Sequence, residues 1–332
     1  MNKILITGGA GFIGFSLAQK LSEHRENDVS IIDNLSRGKI DKELQALLKR
    51  KNVHFIQGDL TDLQFLLSLS REYEYIFHLA AIIGLKNVIQ NADKVLYVNA
   101  LATLNMFEYA KNIKNLKRIF FSSTSEVYSG TAKHFNIAIP TDENVPLTLE
   151  DISLERTTYA LSKMYGESIG FIYGKKFGIP VTIGRYHNVY GPRMGFAHVI
   201  PETFLKISQN GAIDVPSLHH TRAFCFIDDA IEFTIRACYS SNTINEILHI
   251  GNSKEEISIR ELVLKISNIM GRNIVINSLP DTSGSVSRRC PDTTKIERLT
   301  GFSPKVFLSE GLRRTYEWYK DKLTRNQEYE FI

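Results

Sequence analysis

Residues 6–14 read ITGGAGFIG, a short apolar run giving way to glycines in GxxGxxG spacing at Gly8, Gly11 and Gly14. The preceding KILIT (3–7) has the β-branched character of a buried strand, and the segment 12–24 has helical periodicity. Strand, glycine turn and helix in that order let backbone N–H groups approach a pyrophosphate at a helix N-terminus. Gly8, Gly11, Phe12, Ile13 and Gly14 are therefore candidate dinucleotide contacts. Asp33 ends the next apolar run, VSIID (29–33), 19 residues past Gly14 (33 − 14). A carboxylate at that distance accepts from ribose hydroxyls and repels a 2′-phosphate, which favours NAD over NADP. Asn34 follows it, and Arg37 is a nearby residue able to accept such a phosphate.

Outward from this motif the chain alternates short β-branched runs with longer amphipathic ones. VHFIQ (53–57), YIFHL (75–79), RIFFS (118–122) and VTIGR (181–185) read as further buried strands, with helical patterns at 92–113 and 157–177 between them. That rhythm predicts a Rossmann-like, doubly wound parallel sheet over 1–186. Beyond it the pattern loosens. Helical segments at 227–240, 258–270 and 309–322 alternate with short pieces such as ILHIG, predicting a smaller mixed α/β region over 187–325 and a weakly ordered tail over 326–332. Two strand ends fit the dinucleotide groove: Asp59 and Leu60 in GDLTD near the adenine edge, and Leu79, Ala80 and Ala81, where small side chains leave room.

The composition narrows the function classes. With 332 residues, 43% hydrophobic and 23% charged, the chain is of ordinary globular type. Its net charge of +4 comes from interspersed Lys, Arg, Asp and Glu, so no nucleic-acid partner is expected. Cys225, Cys238 and Cys290 are odd in number and lack CxxC spacing, which argues against disulfides and a zinc site and for a reducing, cytoplasmic setting. No metal is expected. No apolar run reaches the ~20 residues of a membrane helix, so no membrane partner is expected either.

YALSK sets Tyr159 and Lys163 four apart on a helix, hence on one face. A lysine ammonium beside a phenol is expected to stabilise phenolate and lower the tyrosine pKa from about 10, making a base for a sugar hydroxyl. FFSSTSEVYS (120–129) follows the fifth strand, and its Thr124 or Ser123 offers a hydroxyl to the same reacting oxygen.

TGGAGFIG, HLAA, SSTSEVY and YALSK, in that order, resemble the extended short-chain dehydrogenase/reductases, and within them the nucleotide-sugar epimerase, dehydratase and decarboxylase branch. The likeness continues through GRYHNVYGPR (184–193), VIPETF (199–204), TRAFCFIDD (221–229), LHIGN (248–252) and RRCPD (288–292). It implies Tyr159 as base, Lys163 as its partner and Thr124 as the hydroxyl orienting the C4 oxygen. It places Ser122 and Asn99 beside the cofactor, has Asn188, Arg222 and Arg289 hold the nucleotide diphosphate, and lets Val199 and Ile200 line the base pocket. The region 187–325 would then bind the nucleotide sugar, and two helices per subunit would form a homodimer. Thr124-Ser125-Glu126 matches the pattern of decarboxylases acting on UDP-glucuronate. Ser125 stands where dehydratases carry an aspartate, and epimerases need no such glutamate. Decarboxylation of a UDP-uronate is the favoured expectation, followed by 4-epimerisation and 4,6-dehydration, with a catalytically silent NAD-binding scaffold as the alternative of another class.

Overall fold

The computed structural model describes residues 2–282 and 284–324; the tail expected over 326–332 lies outside them. The predicted strands form one sheet: β1 (Asn2–Thr7), β2 (Asn27–Asp33), β3 (Val53–Gln57), β4 (Tyr75–His78), β5 (Arg118–Thr124) and β6 (Val181–Tyr186). A seventh strand, Glu246–Ile250, pairs with β6, and the order across the sheet is 246–250, β6, β5, β4, β1, β2, β3. Every pairing is parallel. The strand order reverses between β1 and β4, and ligands of such sheets bind in the crevice at the carboxyl ends of those strands.

Alternation along each strand feeds two cores, one on each face. Ile4, Ile6, Val29, Ile31 and Phe120 pack on one side. Leu5, Ile32, Ile119 and Phe121 pack on the other. All nine are fully buried, and each such side chain stabilises the fold by roughly 1.5–3 kcal/mol relative to exposure. Both faces are apolar because helices cover both, as a parallel sheet requires.

The ILHIG segment departs from the expectation that it belongs to the smaller region. Leu248, His249 and Ile250 are fully buried, and the strand completes the large sheet. The rest of the chain beyond β6 builds short ribbons, among them Thr221–Ala223 flanked by Glu256–Ser258 and Arg288–Arg289. Among the described residues no helix is long and apolar enough to cross a membrane. The three cysteines are buried and free.

Candidate active site

A cavity of about 350 Å³ opens at the carboxyl ends of β1 and β4. Its floor is the glycine turn. Gly8 adopts φ +72°, and a Cβ there would lie 2.9 Å from the backbone N and Cα of Ala80. A Cβ on Gly14 would lie 2.3 Å from the carbonyl oxygen of Gly8. The turn thus closes only with bare backbone. The helix Phe12–Leu21 begins there without a side-chain cap or an acidic residue in its first turn. Its leading N–H groups have no intrahelical acceptor, which suits a pyrophosphate. The residues fit a dinucleotide.

Asp33 sits at the far end of the same cavity, accepting from Ala10 N at 3.1 Å and Leu35 N at 2.8 Å. Asn34 bonds Asp59 at 3.2 Å, and Leu60, Leu79, Ala80 and Ala81 line the walls beside them. Asn99 also lines the cavity. It grips the backbone of Ile82 from both sides (2.7 and 3.1 Å) and donates to Ser162 Oγ at 3.2 Å, clamping the segment after β4 to the helix Thr158–Phe177.

Tyr159, Lys163, Thr124 and Ser122 meet on the opposite wall. The Thr124 hydroxyl is near enough to the Tyr159 phenol to pull its pKa down. Lys163 Nζ donates to the Ser122 carbonyl at 2.7 Å and lies 5.9 Å from the centre of the Tyr159 ring. The expected lowering of the tyrosine pKa is not what this arrangement gives. Burial and the nearby Glu126 charge push Tyr159 above its ordinary value, against the Thr124 hydroxyl and Arg37, which pull it down. Burial brings Lys163 down to about 7. Burial thus disfavours the charged form of both groups.

Ser125 and Glu126 form the first turn of a short helix, with Thr124 as its cap. Glu126 Oε1 lies 2.6 Å from Arg289 Nη1, and the same nitrogen reaches Ser125 Oγ at 3.3 Å. Arg289 stands opposite Arg222 in the parallel register of their two strands. Arg222 is tied to Thr221 O (2.7 Å), Ser285 Oγ (3.0 Å) and Val286 O (2.8 Å), and burial followed by the charge of Arg289 lowers it to about 10. Arg289 first, with Arg156 and Arg222 adding, holds Glu126 below the usual carboxylate range against its burial. Three guanidiniums around one carboxylate leave net positive charge.

A model of the family described as GDP-mannose 4,6 dehydratase matches residues 5–315. The chain belongs to this family. It is a branch of the extended short-chain dehydrogenase/reductases. A UDP-N-acetyl-alpha-D-glucosaminuronate decarboxylase of Bacillus cytotoxicus is 33% identical over 96% of this chain and 98% of its own. UDP-glucuronic acid decarboxylase 5 of Arabidopsis thaliana is 31% identical over 97% of this chain and 90% of its own. A UDP-glucuronic acid 4-epimerase of Bacillus cereus, solved with UDP-glucuronic acid and NAD, superposes with a TM-score of 0.82 at 29% identity, covering 96% of this chain and 99% of that one.

Not every residue implied by the family resemblance falls where expected. Asn188 lines the cavity, in a left-handed conformation (φ +38°), and donates to Ala223 O at 3.0 Å. Val199 opens the helix Val199–Gln209 with 37% of its surface exposed and is not in the cavity wall, while Ile200 is fully buried core. The wall there is Met194, Gly195 and His198 instead. Arg193 of the GPR triplet is a strut, 2.6 Å from Asp41, 3.2 Å from Glu43 and stacked 4.0 Å over the Phe15 ring. Arg156 was missed. Its only mark in the sequence is its place three residues before Tyr159.

Behind the catalytic wall runs a buried polar chain. Glu167 takes a two-pronged bond from Arg185 (2.8 and 2.6 Å) and accepts from Ser123; Arg185 also donates to Tyr128, whose hydroxyl meets His249 Nε2 at 2.6 Å. Tyr128 thereby anchors the SEVY turn from beneath. Two residues on, a Cβ on Gly130 would lie 2.5 Å from the Thr148 and Leu149 backbone.

Proposed function

We propose that this protein is an NAD-dependent UDP-uronate decarboxylase: it oxidises the sugar at C4 and releases the C5 carboxylate as CO2. The observation that carries this reading is the Glu126–Arg289 pair, 2.6 Å apart and directly after Thr124. An epimerase of a neutral sugar has no use for a charge pair there, and the UDP-linked uronates named for the relatives supply a carboxylate for it.

When bound, NAD supplies a reversible hydride acceptor for C4, held by the glycine turn, Asp33 and the Tyr159–Lys163 wall. The protein's own residues do the rest. Thr124 and Tyr159 grip the C4 hydroxyl, and Tyr159, once its own proton has passed to solvent, takes the hydroxyl proton as the 4-ketone forms. Arg222 and Arg289 offer planar donor forks to the diphosphate and the uronate. Arg289 alone would bind the C5 carboxylate tightly and stabilise the ground state. Glu126 offsets part of that charge, so the carboxylate is held less tightly and its departure costs less. The C5–C6 bond electrons pass to the C4 ketone as CO2 leaves, C5 takes a proton from water, and Tyr159 returns its proton to the C4 oxygen, where the reduced cofactor would give the hydride back to C4.

A homodimer is part of the same reading. The helices Ala92–Ala110 and Thr158–Phe177 pack side by side and expose Leu96, Tyr97, Leu161, Tyr165 and Ile172, a face suited to a second copy.

Incubation with UDP-glucuronate, its N-acetylated analogue, UDP-glucose and GDP-sugars, followed by mass spectrometry and NMR, tests the assignment. Loss of CO2 from a UDP-uronate is expected. An isomer of unchanged mass would move the reaction to 4-epimerisation, loss of water to dehydration, and no change in any sugar would overturn the catalytic reading.

A further inference from the structure

Outside the active site, His219, His220 and Asp281 converge from two loops. Their ligand-capable atoms all lie within 4.8 Å of one another. Both imidazole Nε2 atoms stand 3.4 Å from the same carboxylate oxygen, Asp281 Oδ2. Both are loose ion pairs, longer than the about 2.8 Å of a strong charge-assisted hydrogen bond. The separation equals the edge, about 3.4 Å, of a tetrahedron whose corners lie about 2.0–2.1 Å from a zinc ion. The two rings meet edge to face at 89°, their centres 4.8 Å apart. His220 is buried, and its other nitrogen, Nδ1, contacts Ser285 Oγ at 3.3 Å. In the tautomer that donates Nδ1–H to Ser285 Oγ, Nε2 is a free acceptor, the arrangement by which outer partners orient metal-ligating histidines.

We propose that His219, His220 and Asp281 bind a zinc-class divalent cation, two imidazoles and one carboxylate leaving a fourth position for water. Cysteine spacing says nothing about such a site, since no cysteine takes part. The cation ties the turn before strand Thr221–Ala223 to the 281–287 loop. Ser285 Oγ, in contact with His220, also accepts from Arg222 at 3.0 Å. Occupancy therefore reaches the proposed diphosphate site through one shared hydroxyl.

The test uses the untagged full chain after chelator treatment, titrated with Zn²⁺ by calorimetry and with Co²⁺ by visible absorption. Wild type is expected to bind one equivalent, with a tetrahedral cobalt spectrum. His219→Ala and Asp281→Asn change exposed side chains (69% and 50%), and each is expected to weaken binding at least about tenfold. No stoichiometric binding by wild type, or binding undiminished in both variants, overturns the site. The coupling rests on the UDP-sugar reading and has its own readout: UDP affinity should shift severalfold between zinc-loaded and chelated wild type but not in His219→Ala. An indifferent UDP affinity alongside intact metal binding overturns the coupling alone.

Discussion

Glu126 Oε1 and Arg289 Nη1 meet at 2.6 Å across 163 residues of chain, joining the turn after β5 to the last of the short ribbons. The carboxylate and the cation are held ready for a charged substrate before any substrate arrives. Glu126→Gln should leave Arg289 free to bind the uronate more tightly while slowing CO2 release by about 10²-fold or more. Steady-state kinetics with UDP-glucuronate reads both: a lowered KM together with a lowered kcat. A raised KM at unchanged kcat would assign the pair to binding alone.

Tyr159→Phe keeps the ring in the wall and removes the proton acceptor. Turnover should fall by about 10²–10⁴-fold, with NAD binding measured by calorimetry within a few-fold of wild type.

Lys163 gives a pH signature in the cofactor-free protein. Its folded pKa is about 7, below the ordinary lysine value of 10.5. Between those values the unfolded chain holds a proton that the folded one has shed, so stability rises with pH across that window and the gain is lost as pH falls towards 7. From pH 7 to 9 the contribution is on the order of 2 kcal/mol. Denaturant midpoints should climb over that range in wild type and climb less in Lys163→Met.

Gly14→Ala places a methyl group 2.3 Å from the Gly8 carbonyl oxygen. The turn must open to admit it, at about 1–3 kcal/mol. Thermal melts should show the loss, and the NAD affinity should drop with it because the backbone cradle is what deforms.

The apolar helix face offers a separate check. Tyr97→Glu with Ile172→Glu puts charge on two residues that are 64% and 60% exposed in the single chain. Light scattering should report dimer for wild type and monomer for the double variant, with the circular dichroism spectrum unchanged.

The strands and the glycine turn were legible because their signals are local: period-two burial and a fixed spacing of small residues show within a dozen positions. Asp33, Thr124, Tyr159 and Lys163 were legible for the same reason, each standing at a strand end or one helical turn from its partner. What escaped depends on burial and on distant chain. The Tyr159 pKa direction turns on how little water reaches the phenol, which spacing does not encode. Arg156 acquires meaning only where the 281–287 loop brings it against Gly284. Val199 starts a helix whose next residue faces the core, and a one-residue difference there decides wall or surface.

The strand Glu246–Ile250 has a further consequence. Having left the sheet at β6, the chain returns to hydrogen-bond alongside it for five residues. The part of the molecule carrying Arg222 and Arg289 is therefore sewn into the same sheet as the glycine turn, not hung from it by a linker. Melting should follow one cooperative transition, since neither part can unravel without exposing the edge of the other. Amide hydrogens of 181–186 and 246–250 should exchange at the slow, global rate, while those of 284–287 exchange through small local openings.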